Sequence, residues 1–182
     1  MVACHATFIG GYNMMLSNEL LNEMQEYVLN HLIEIKQSVS EDMCFSSSYM
    51  YSPIESSEME DFINNNKKPT FSNLLFKYID KLGSMDSEVY KKAGIDRRHF
   101  SKIRSTTNYH PSKNTAIALA FALNLDQKEA DILIGAAGYT LSGSETFDLV
   151  ITFCFNRKIY DINDINLALD YFSLKPLSGV SS

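Results

Sequence analysis

The residues best suited to chemistry lie in one short stretch, GIDRRHFSKIRS, from Gly94 to Ser105. Arg97, Arg98, His99, Lys102 and Arg104 crowd four cations and an imidazole into it. Asp96 is placed as a helix N-cap, which puts the two arginines and the histidine in the first turn that follows. A guanidinium fork suits guanine O6 and N7, and an ammonium suits a phosphate. An ordinary solvated helix carries the same residue types, so spacing alone does not separate the two readings.

The distribution of charge sharpens the choice. The 182-residue chain has a formal charge of -6. Residues 1–69 carry -7, residues 70–87 none, residues 88–114 +5 and residues 115–182 -4. A polyanion responds to the local field rather than to the total, and here one basic window lies between acidic flanks.

The elements that must position this window follow from the hydrophobic period. With 45% hydrophobic and 21% charged residues, four prolines and eight glycines, the chain is a folded all-α protein with one good core. LSNELLNEMQEYVLNHLIEIK predicts an amphipathic helix capped by Ser17, with a Leu16–Leu21 staple and His31 packed neutral on the apolar face. Residues 1–36 are thus a leader followed by a docking or dimerisation helix. The polar stretch 37–69 reads as a linker, with a short helical turn near Glu55–Asp61.

Five short helices are predicted within residues 70–140. The first presents Phe71, Leu74, Leu75, Tyr78, Ile79 and Leu82 on one face and ends at Gly83. Asp86, Asp96, Ser112 and Asp126 are placed as the N-caps of the next four, and Gly94 and Gly138 end the second and the fifth. Residues 141–175 form a helical extension of two apolar segments, read as completing the core, and residues 176–182 a tail.

Cys4, Cys44 and Cys154 are odd in number and lack a C-x-x-C, which argues against a disulfide framework or zinc site and for a reducing cytoplasm. No apolar run reaches the eighteen or so residues that span a bilayer. MVACHATFIGGYNMM has no basic n-region and is read as a leader, not a signal peptide. The histidines are scattered, and no metal, nucleophile or phosphate-loop motif is present. Neither an enzyme nor a cofactor is expected.

Phe71 to Leu133, about a third of the chain, resembles the five-helix domain of the Cro and lambda-repressor-like helix-turn-helix family. Val89 and Ala93 match the buried face of its second helix, Gly94 its tight turn, Ile95 the plug, and Phe100 and Ile103 the anchors of its recognition helix. RSTTNYHPSKNTAIALAFALNL matches the loop, proline and fourth helix. Residues 16–176 are also similar to an uncharacterised bacterial helical module, often found after macrodomains or von Willebrand A-like domains, through the AGYTLS turn and the YDINDIN helix.

The resemblance implies a bacterial or phage transcriptional regulator that binds double-stranded DNA as a homodimer. Helix 96–105 would enter the major groove, with Arg97, Arg98, His99 and Lys102 contacting bases and Lys91, Lys92, Arg104 and Lys113 contacting phosphates. Two positions depart from the pattern. Tyr90 stands where alanine is usual, so the helix crossing must open, tilt or release the ring sideways. Asp86 stands where a phosphate-binding glutamine is common. Both favour the alternative, a protein-interaction adaptor that has lost DNA binding.

Overall fold

Five helices start in the same way, with a short polar side chain accepting a bond from a backbone N–H of the first turn. Thr70 accepts from Asn73, Asp96 from Arg98, Ser112 from Thr115, Asp126 from Glu129 and Asp161 from Asn163. Each bond satisfies one of the amide donors that a helix start leaves without a partner. The computed structural model describes residues 18–37, 56–106 and 108–177. Among these it is all-helical, without a strand: α1 (Asn18–Gln37), α2 (Ser56–Asn66), α3 (Phe71–Leu82), α4 (Asp86–Lys92), α5 (Arg97–Ser105), α6 (Lys113–Ala122), α7 (Gln127–Ala136), α8 (Thr146–Asn156) and α9 (Ile162–Tyr171). The expected Ser17 cap, the Leu16 staple, Cys4, Cys44, the leader and most of the tail lie outside the described residues.

Two expectations are corrected by local structure. Met85, not Asp86, is the N-cap of α4; the Glu88 carboxylate accepts from the Met85 N–H at 3.3 Å, which draws the helix start one residue earlier. The 37–69 linker contains the eleven-residue helix α2, longer than the predicted turn.

The core centres on α6. Every residue from Ala116 to Leu123 is buried, and a helix apolar all round must lie inside. Helices α4, α7 and α9 pack on it. Helix α8 stacks Phe155 on Phe121, centroids 3.9 Å apart and planes within 8°. The other side of α8 receives α1, whose Met24 and Val28 are buried and whose Tyr27 meets Phe153 at 5.4 Å. His31 is half-buried as expected and donates from Nδ1 to the Tyr27 carbonyl at 2.9 Å. One buried cluster runs from Met24 to Leu177, so α8 and α9 complete the core. Helices of this length are marginal alone, and burial at roughly 1.5–3 kcal/mol per large side chain is what holds them.

The link from α4 to α5 is tight. Gly94 has φ 62°, a value at which a side chain is strained. Its N–H bonds the Lys91 carbonyl at 3.1 Å, and the Ile95 N–H bonds the Tyr90 carbonyl at 2.9 Å. Val89, Ala93, Ile95, Phe100 and Ile103 are all buried, which turns the remaining faces of α5 outward.

Candidate nucleic-acid interface

Helix α5 sorts its side chains by the 100° step between residues. Phe100 and Ile103 take the inward arc, so Arg98 and Lys102 point away from the core and Arg97 lies at one edge. All three are exposed. Neither they nor the exposed Lys91 and Lys92 make an ion pair among the described residues. All five are open to solvent, while three other expected contacts, His99, Arg104 and Lys113, have partners within the chain.

His99 is the first correction. The helical step carries it round toward the loop after α5, where its Nε2 lies 2.8 Å from the Tyr109 hydroxyl, and the half-buried rings meet edge to face at 6.0 Å. This bond ties α5 to that loop.

Arg104 is the second. Its Nη2 lies 2.7 Å from the Asp86 carboxylate, and its guanidinium covers the Phe76 ring at 4.4 Å. One nitrogen of the fork is thus engaged by the chain's own carboxylate. The pair also accounts for Asp86: the charge that would repel a phosphate is neutralised from α5.

Lys113 is the third. Its Nζ is 2.6 Å from Oδ2 of Asp148, a carboxylate only 1% exposed. The same oxygen accepts from the Ser142 N–H at 2.7 Å, while Oδ1 has no partner among the described residues. Lys113 is therefore a structural cation that joins the starts of α6 and α8. Sequence reasoning missed Asp148; the available signal was a lone carboxylate inside the apolar run TFDLVITF.

Of the remaining cations, Arg97, Lys91 and Lys92 border two grooves, and Arg98 and Lys102 line neither. Arg97, Ser101 and Arg104 line one of about 420 Å³ with Met85, Asp86 and Tyr90. Lys91 and Lys92 line another of about 350 Å³, at the end of α6 and the start of α9 beside Asp161. Tyr90 resolves its conflict with the helix crossing by leaving sideways. Val89 and Ala93 take the buried positions, while the half-buried Tyr90 ring sits 5.7 Å from Phe100 in the first groove. Beyond Tyr109 a wider cleft of about 690 Å³ separates the start of α3 from α7. There burial raises the Asp131 carboxyl above its ordinary value.

Among the described residues no three His, Cys, Asp or Glu side chains gather as a metal site, and no helix is long and apolar enough to cross a membrane. Cys154 is buried on α8, and that burial, with the nearby Asp164 charge, pushes its thiol up to about 12. A thiol so rarely ionised is a packing group and a poor nucleophile. Comparison with protein-family models, curated proteins and solved structures finds no match to this chain.

Proposed function

We propose that this chain is a helix-turn-helix protein that binds double-stranded DNA and regulates transcription, with the exposed edge of α5 in the major groove. The observation that carries the proposal is the freedom of Arg97, Arg98 and Lys102 on a helix held rigidly by Phe100 and Ile103. Arg97 and Arg98 read bases, each good bidentate pair discriminating by roughly 1–3 kcal/mol. Lys102 lies one turn after Arg98 on the same face. Lys91 and Lys92 remain as phosphate ligands; Arg104, Lys113 and His99 support the scaffold. Two copies would meet only on the duplex, at half-sites about 34 Å apart, leaving both α5 edges to the grooves.

Selection of duplexes from a random pool tests the proposal, followed by retardation with Arg97→Ala and Arg98→Ala together. The expected result is loss of preference for the selected sequence with the helical circular dichroism unchanged. Unaltered binding by the double variant overturns it.

One observation favours a second function, as a protein-interaction adaptor. The groove beside Arg97 is partly apolar, with Met85 64% exposed and the Tyr90 ring half-buried. Apolar surface contributes nothing to a phosphate but does accommodate an acidic amphipathic helix. Salt separates the two: duplex affinity falls by about 0.9 log unit per log unit of salt for every phosphate neutralised. No binding to random duplex at low salt favours the adaptor.

A further inference from the structure

Helix α2 has eleven residues, and an isolated helix of that length is marginal in water. Every residue from Ser57 to Pro69 is exposed. Yet Met59, Phe62 and Ile63, at 50, 68 and 53% exposure, form one apolar stripe at helical spacing. Glu58 and Glu60 flank the stripe on either side, and with Asp61 they give α2 three acids and no cation. The groove between α4 and α5 has the complementary character. Met85 and Tyr90 supply apolar surface, Arg97 stands on the rim, and Arg98 lies beyond it without an ion pair among the described residues. The chain's own α2 lies outside that groove, on a tether of only Lys67, Lys68 and Pro69 before the Thr70 cap.

We infer that α2 docks in the α4–α5 groove of a second copy of this chain. Its stripe covers Met85 and Tyr90, and the acids along one edge of the stripe face Arg97 and Arg98. Helix and groove are both present on each copy, so a two-fold arrangement makes the contact twice and closes. The consequence, which rests on the DNA-binding proposal, is that the docked helix covers the edge of α5. Self-association and duplex binding then exclude each other, and the acidic helix competes with the nucleic acid for the same arginines.

Sedimentation of the full chain tests the docking. Wild type is expected to dimerise at low salt and to dissociate as salt screens the facing charges. Phe62→Ser with Ile63→Ser, both exposed, is expected to be monomeric with unchanged circular dichroism. Arg97→Glu with Arg98→Glu is expected to be monomeric as well. Mixing the two variants restores one of the two contacts, so the mixture associates where neither component does. A wild type that stays monomeric, an α2 variant that dimerises as wild type does, or a mixture that fails to associate overturns the inference. If a tenth of wild type is uncovered at the working concentration, the α2 variant binds duplex about tenfold more tightly. Duplex binding by no form, with the association pattern intact, supports the docking and overturns the DNA proposal alone.

Discussion

The first turns of α5 and α6 both bring cations out of the same basic window, and the two have opposite fates. On α5, Arg97 and Arg98 stand in solvent without an ion pair among the described residues. On α6, Lys113 is consumed by a carboxylate that solvent barely reaches. Nothing in the local pattern distinguishes them, since each lies just after a polar N-cap. What differs is the neighbour: α8 brings Asp148 to Lys113, whereas none of the described helices brings a carboxylate within ion-pair distance of Arg97. A cation is open to a partner where the fold leaves it alone, and holds the fold together where a buried acid meets it.

The largest expected effect is on the buried pair. Lys113→Met leaves Asp148 charged and unpaired, and urea unfolding should show a loss of roughly 3–5 kcal/mol. Adding Asp148→Leu should recover most of it, because an apolar pair of similar volume needs no desolvated charge. A double variant as unstable as the single one would show that Asp148 matters through its Ser142 bond instead.

Arg104→Ala should cost less, about 1 kcal/mol. The Asp86 pair is more than a third exposed on both sides, and exposed pairs contribute about 0.2–1 kcal/mol, with a further part from the Phe76 contact. High salt should shrink the difference between variant and wild type. A loss as large as that for Lys113→Met would erase the distinction between the two regions.

Asp164, on α9, gives a smaller effect of the opposite sign. Burial first, and the nearby Asp161 second, raise its carboxyl above the ordinary value of 3.8. The folded chain therefore holds this proton more tightly than the unfolded chain does. Stability falls as pH rises from the unfolded value through the folded one, and the deficit persists at neutral pH. Asp164→Asn should stabilise the protein by roughly 0.5 kcal/mol near pH 7 and by almost nothing near pH 3. Equal stabilisation at both pH values would assign the effect to packing.

The smallest stability change belongs to Arg97→Ala with Arg98→Ala, within roughly 0.5 kcal/mol of wild type. That near-silence, measured in the same denaturation series, is what permits loss of duplex binding to be read as loss of contact. A clear destabilisation would mean that these arginines also brace the fold.

Legibility followed the range of the interaction. Gly83, Gly94, Asp96, Ser112 and Asp126 could be assigned because a cap or a left-handed turn bonds within a few residues. The inward Phe100 and Ile103 followed from the helical step. The engagement of Lys113 is not legible because its partner is 35 residues away, nor is that of His99, whose partner lies across a loop, 10 residues on. Helix α2 was reduced to a turn within a linker because an acidic stretch ending in three asparagines gives a weak periodic signal. The Tyr90 conflict was legible as a conflict, but its outcome was not, since the escape of the ring depends on where Phe100 stands across the groove.

By itself the amino-acid sequence determined the helical class, the starts of α5, α6 and α7, the buried anchors of α5 and the existence of a basic window in an acidic chain. These depend on periodicity, capping and summed charge, all of which act over one or two turns. Only the tertiary structure decided which cations remain free, that Asp148 is the hidden partner of Lys113, and that Tyr90 lies in a groove instead of a helix crossing. A charge is available or neutralised according to what stands within about 4 Å of it, and that distance is set by packing between helices far apart in the chain.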